Sequence, residues 1–147
     1  TDSPFNLYPS KGRYMWRDLE RLCAKYGLPF RRPSQFPRNG LLAARIANIG
    51  AQEPWLPDFV RAVYRANFVE DRDIAAADVL LGVLGDLGLA GRDVLAAAQA
   101  PANKDRLRAV TTHAQTLGIF GAPTFVVGDE LFWGQDRLVD ALACAVA

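Results

Sequence analysis

Histidine and methionine each occur once in this 147-residue chain, and cysteine only twice. One histidine and two widely separated cysteines, Cys23 and Cys144, cannot assemble a standard zinc site, so no metal is expected. They form no C-x-x-C pair either, so these residues encode no dithiol redox centre. Cys23 falls on the apolar face of a predicted helix and reads as an inert core thiol, with Cys144 expected to be similar. Two thiols without a pairing pattern suit a reducing, cytoplasmic setting, a single bridge being the alternative. No apolar run approaches the ~18 residues of a membrane-spanning helix. With 17 basic and 16 acidic residues the net charge is +1, too balanced for a field that would hold nucleic acid or a membrane surface. No phosphate-cradling glycine loop, internal repeat or low-complexity segment is present. His113 stands without a serine–aspartate set and reads as a surface residue.

Half of the residues are hydrophobic, enough for a real core in one domain. Basic residues cluster only at Arg31-Arg32-Pro33 and Arg38. The cluster reads as a solvated loop or, alternatively, as a rim for an anionic substrate. Residues 1–10, with Pro4 and Pro9, read as an extended loop. A first helix is expected from Lys11 to Lys25, with Met15, Leu19, Leu22, Cys23 and Tyr26 inward. Gly27 stops it, as a left-handed residue past a helix end does. Leu28–Arg32, bounded by prolines, is at best a short edge strand. Asn39 is expected to cap a helix through Ile49, with Leu41, Leu42, Ile46 and Ile49 inward. Pro57-Asp58 opens the next, striped by Phe59, Val60, Val63, Tyr64 and Phe68. Further helices are expected over 75–87, 93–100 and 103–117, the last capped by Asn103 with Leu107, Val110, Ala114 and Leu117 inward. Trp55 and Trp133 read as core packing, with an aromatic-substrate pocket as the alternative.

The most informative stretch is Gly121-Ala122-Pro123-Thr124-Phe125-Val126-Val127, followed by Gly128-Asp129 and Glu130-Leu131-Phe132-Trp133. A proline cannot donate to a strand ladder and marks an edge, a strand start or a special peptide bond. Only X-Pro bonds are readily cis. Gly128-Asp129, with glycine first, suits a type II′ turn joining 124–127 to 130–133. A helix from about Asp136 to Ala145 closes the chain, with Asp136 able to cap it. Its unpaired N–H groups favour an anion, and the Asp136 carboxylate accepts an ammonium. So short a sheet needs another strand beside it.

Ala122-Pro123-Thr124 resembles the cis-proline loop of the thioredoxin superfamily. Phe120–Phe125 together with Leu131–Leu138 is similar to the 2-hydroxychromene-2-carboxylate isomerases and kappa-class glutathione transferases, a branch related to DsbA-type oxidoreductases. Pro9-Ser10-Lys11-Gly12-Arg13-Tyr14 resembles that branch's proline-x-lysine-x-x-tyrosine segment. The resemblance implies an α/β, thioredoxin-like fold with a large all-helical insertion. The thioredoxin-like part would be residues 1–38 and 119–147, and the insertion 39–118. Members begin with a βαβ-type unit whose loop carries a serine or cysteine facing the glutathione sulfur. Nothing here fits it, so a preceding segment is expected, with a secretory cleavage before Thr1 as the other reading.

The resemblance further implies glutathione as cofactor. Ala122 and Pro123 would offer main-chain groups to its cysteinyl part, and Gln135 and Asp136 would hold its γ-glutamyl end. Arg137 is expected to pair with a nearby carboxylate. Lys11 would support the chemistry as a point charge near the thiolate or substrate carboxylate. The relatives' glutathione-reaching asparagine corresponds to about Asp2 and Ser3, with Asn6 as a possible substitute. The implied activity is a glutathione-dependent isomerisation of an aromatic-derived conjugated acid by a homodimer. A DsbA-like oxidoreductase, a kappa-type transferase and a non-catalytic binding fragment are the alternatives.

Overall fold

The computed structural model describes residues 3–146. Both early prolines open helices instead of interrupting a loop. Helix α1 spans Pro4–Leu7 and α2 spans Pro9–Lys25. Proline suits a first helical position, where its missing N–H would have no partner anyway. The Ser3 hydroxyl accepts from the Phe5 N–H at 3.3 Å and caps the first of them. The extended loop expected over residues 1–10 is thus replaced by helix for its described part.

Helix α2 turns its Gly12 and Trp16 inward. Trp16 meets Phe36 edge-on at 4.8 Å and Phe30 at 6.3 Å, and carries the Arg32 guanidinium over its ring. The inward face expected for this helix omitted Trp16 and included Tyr26, which is exposed. Leu28–Arg32 is not a strand. Beyond the end of α2 its backbone makes one hydrogen bond among the described residues, from the Arg31 N–H to the Phe68 carbonyl at 2.6 Å, and one bond builds no ladder.

Helices α3 (Leu41–Ile49), α4 (Leu56–Phe68), α5 (Ala77–Asp86) and α6 (Gly91–Gln99) pack around a core of Ile46, Phe59, Leu80, Leu84 and Ala98, each at most 1% exposed. Helix α3 packs on α6 and on α4, and α5 packs on α4 and α6. Each large buried side chain contributes roughly 1.5–3 kcal/mol of transfer free energy. Asn39 accepts from the Leu41 N–H at 2.9 Å at the start of α3. Leu41, Val60 and Tyr64, expected inward, are exposed. Trp55 packs edge-on to Phe59 at 5.9 Å, as core packing requires.

Helix α7 (Pro101–Thr116) again opens on a proline. Asn103, expected as its cap, lies inside the helix and is 2% exposed. Its amide donates to the carbonyls of Ala98 at 2.9 Å and Arg45 at 3.0 Å, and accepts from Asn48 at 2.7 Å. It stitches three segments through fully used polar atoms, the condition under which a buried amide is tolerated. Val110 and Leu117, expected inward, are exposed.

The chain divides into two compact units inside α7, between Lys104 and Asp105. In the second unit β1 (Thr124–Val127) pairs antiparallel with β2 (Glu130–Trp133), with Thr124 opposite Trp133 and Val127 opposite Glu130. Gly128 has φ +58° while Asp129 is not among the positive-φ residues, as a type II′ turn requires. The closing helix starts later than expected. A 3₁₀ turn, Gln135–Arg137, leads into α8 (Leu138–Ala145), which packs on β1.

Candidate functional site

The loop before β1 and the turn after β2 meet at one backbone hydrogen bond. The Gly134 N–H donates to the Pro123 carbonyl at 3.0 Å. The pairing of Thr124 with Trp133 places these residues side by side, so the contact extends the ladder by one step. The Ala122-Pro123 peptide is cis, as is Phe36-Pro37. The Thr124 hydroxyl donates to the Gly121 carbonyl at 2.6 Å and closes the loop on itself. The Trp133 indole lies over Gly121, where a side chain would collide with it, and against Phe120 at 5.0 Å. Trp133 is 56% exposed, so it serves this loop and not the core role first expected.

Gly134 has φ +111° and ψ 150°, a region open in practice to glycine alone. That conformation leads the chain from the Gly134 contact with Pro123 into the turn Gln135–Arg137. Neither the N–H nor the carbonyl of Ala122 has a hydrogen-bond partner among the described residues, and Ala122 is exposed. Asp136 caps nothing, because the turn is 3₁₀ and no side chain accepts from its N–H groups. Its carboxylate is open to solvent and lies 3.5 Å from Arg137, which also reaches Asp140 at 3.1 Å. Arg137 thus pairs with carboxylates, as expected. Four of the five site residues anticipated from sequence lie in the two segments of the second unit joined by the Pro123–Gly134 bond: Ala122, Pro123, Gln135 and Asp136. Chemically the surface offers free main-chain groups, an exposed carboxylate and N–H donors of a helical turn.

Lys11, the fifth, belongs to the other unit. It sits in the first turn of α2, exposed, with its ammonium 5.1 Å from the centre of the Tyr8 ring. That ring offsets the unfavourable placement of a cation at a helix start. Asn6 donates to the Phe36 carbonyl at 3.0 Å, a structural tie. Asp2, the other position for an asparagine-like contact, lies outside the described residues. Cys23 is half-buried, whereas Cys144 is exposed and so is not the core thiol expected. His113 is exposed on α7. Among the described residues no three histidine, cysteine or acidic side chains converge as a metal site would.

Sequence reasoning misplaced Arg38. Neither solvated nor on a rim, its side chain is 4% exposed. Its guanidinium donates to Asn67 Oδ1 and the Arg72 carbonyl, both at 2.9 Å, and to Ser34, the Asp71 carbonyl and the Asp71 carboxylate. Asp71 also accepts from the Ser34 N–H at 2.9 Å and lies 3.5 Å from Arg31. The Ser34 N–H first, and Arg38 next, hold its carboxyl down at about 2. Glu70 is likewise lowered, chiefly by the Arg65 guanidinium that donates to it at 2.8 Å. The partner that buries Arg38 lies more than thirty positions downstream, beyond the reach of local patterning.

A hairpin entered through a cis-proline loop and followed by a helix, joined to a helical block, defines the class: α/β, a thioredoxin-like fold carrying a large helical insertion. The chain belongs to the DSBA-like thioredoxin domain family, whose model matches residues 2–146. It is 33% identical over 128 residues to the 2-hydroxychromene-2-carboxylate isomerase of Sphingobium xenophagum, covering 87% of this chain and 65% of that one. It is 27% identical over 135 residues to the uncharacterized protein YwbO of Bacillus subtilis (strain 168), covering 86% and 64%. Among solved structures it resembles a 2-hydroxychromene-2-carboxylate isomerase with TM-score 0.75 and 27% identity, covering 92% of this chain and 66% of that one. The chain thus spans about two thirds of the length of the relatives it matches. No helix among the described residues is long and apolar enough to cross a membrane.

Proposed function

We propose that the whole protein is a glutathione-dependent isomerase similar to 2-hydroxychromene-2-carboxylate isomerase, working in the cytoplasm as a homodimer on an aromatic-derived conjugated acid. The reading assigns residues 1–38 and 119–147 to the thioredoxin-like part and 39–118 to the insertion. Its single supporting observation is the surface at Pro123 and Gly134, where free main-chain groups of Ala122 stand beside an exposed acidic turn. Those donors and acceptors fit a thiol tripeptide with a zwitterionic end. Ala122 would exchange main-chain hydrogen bonds with the cysteinyl residue, in the manner of strand addition. The Asp136 carboxylate would take the γ-glutamyl ammonium, and the N–H groups at Gln135 and Asp136 its carboxylate. Bound there, glutathione would supply a nucleophilic sulfur that adds to and then leaves a conjugated bond, and none is consumed. Lys11 would hold negative charge on the thiolate or the substrate acid.

Titration calorimetry of the intact protein with reduced glutathione is expected to give saturable heat. Asp136→Asn should weaken it about tenfold, as loss of a charge-assisted contact does. Isomerisation followed by absorbance should need the thiol. No heat with the tripeptide and no thiol-dependent rate would remove the reading. The DSBA-like family match favours one alternative, a thiol–disulfide oxidoreductase. Turnover of a disulfide substrate in place of isomerisation would select it, and binding without turnover would leave a binding module.

A further inference from the structure

An open cleft of about 570 Å³ lies between α1, α2 and Arg32 in the first unit. Its charged walls are Arg13, Arg17, Glu20 and Arg32, and Phe5 and Pro9 add an apolar side. Three guanidinium groups thus share the cleft with one carboxylate. That carboxylate is already taken, because Arg17 donates to Glu20 at 2.7 Å. Arg13 donates at 3.2 Å to the Ser10 hydroxyl, a neutral acceptor one turn back. The Arg32 side chain makes no hydrogen bond or ion pair among the described residues. Two positive charges on one cleft are therefore left without a counterion among the described residues.

The cleft is also held in shape. The Arg32 guanidinium lies 4.8 Å from the centre of the Trp16 ring. Trp16 is itself buried and packed against Phe30 and Phe36. This ring contact steadies the charge without supplying an acceptor. The backbone around Arg32 is tied by the Arg31 N–H to Phe68 and by buried Pro33. On the other side α1 sits directly on α2, so close that a Cβ at Gly12 would collide with the Phe5 carbonyl. Like charges fixed in a concave site repel, and a bound anion turns that repulsion into attraction.

We propose that this cleft binds a phosphate monoester. The phosphate lies between Arg13 and Arg32, whose planar forks match its oxygens. The alkyl body of the ester lies against Phe5 and Pro9. A monoester carries about two negative charges at pH 8, since its second pKa is about 6. That charge balances the two guanidinium groups that lack a carboxylate. The volume exceeds what a bare phosphate fills and suits a small organic ligand. The inference stands on the first unit alone and is independent of the glutathione reading.

The test uses the intact protein at pH 8 without any thiol, with n-butyl phosphate as probe. Saturable heat in calorimetry is expected, with a shift of the Trp16 indole N–H signal in nitrogen-15 NMR. n-Butyl sulfate has the same shape and one charge fewer, and should bind at least about tenfold more weakly. Inorganic phosphate, the head without the body, should bind severalfold more weakly. Arg13→Gln and Arg32→Gln should each weaken the ester about tenfold, the size of one charge-assisted contact. Glu20→Gln should tighten it severalfold, because it releases Arg17 from its carboxylate partner. A gain in affinity cannot come from misfolding, so the test stands even if the Arg32 variant fails to fold. Arg61→Gln removes the same charge from α4, outside the cleft, and should leave the affinity unchanged. Absent heat or an unshifted Trp16 signal would overturn the proposal. So would equal binding of the two butyl esters, an Arg61 variant as weak as the Arg13 one, or a Glu20 variant no tighter than the parent. Inorganic phosphate binding as tightly as the ester would mean an adventitious ion only, and would overturn it as well.

Discussion

The two units solve burial differently. The first closes a helical core on itself, with Ile46, Phe59, Leu80 and Leu84 all but inaccessible. In the described part of the second, Ala141 alone is buried, while Phe120, Leu131, Trp133, Val139 and Leu142 are exposed. A two-stranded hairpin with α8 and the greater part of α7 has little apolar area to remove from water, and such a hairpin is marginal by itself. The candidate thiol-peptide surface is carried by the less buried unit. Regions that bind by offering free main-chain groups have few internal contacts, because those same groups would otherwise be used up within the fold.

Removing core volume should separate the units most sharply. Phe59→Ala is expected to cost about 3–5 kcal/mol in denaturant unfolding, whereas Leu142→Ala should change stability by no more than about 0.5 kcal/mol. Equal effects would break the contrast. Asn103→Leu comes next, at about 2–3 kcal/mol, because it orphans the Asn48 amide and two carbonyls inside the first unit. A smaller change, about 1–3 kcal/mol, is expected for Gly134→Ala, which forces a side chain into φ +111° against the Asp136 carboxylate. Its mark should appear as faster amide exchange in the hairpin, with α4 and α5 unaltered.

The subtlest test is acid unfolding. Asp71 titrates near 2 in the folded chain and near 3.8 when free. Its contribution is therefore complete above about pH 4 and disappears as the pH drops through 2. Asp71→Asn should remove that pH-dependent component. Asp71 has φ +56°, a conformation asparagine accepts, so the backbone should be kept. An unchanged acid limb in this variant would deny Asp71 its role.

Local chemistry was legible wherever neighbours in sequence are neighbours in space. The hairpin bounds follow from a β-branched run, a Gly-Asp turn and a second short run, and the structure has the same four-residue strands. Helix ends at Gly27 and Gly88 follow from glycine's backbone freedom, their φ being +64° and +72°, whereas Gly50, at φ −81°, ends its helix without using it. Pro4 and Pro9 were read as breakers because a proline at a first helical turn and one in a loop look alike until the following residues find partners. Asn103 was read as a cap for a similar reason. Its type and position suit a helix start, and only packing showed its amide reaching Arg45 and Ala98.

The order of helices, the hairpin and the likeness to a thioredoxin-like family were written in the chain, since propensity, turn chemistry and apolar spacing act over a few residues. Tertiary structure alone decided that Arg38 is buried and that Gly134 leans its turn on Pro123. It alone left the Arg38 Nε–H buried without a partner among the described residues. The reason is physical: the energy of a charge or a polar group depends on what surrounds it in space, and that environment comes from residues tens of positions away.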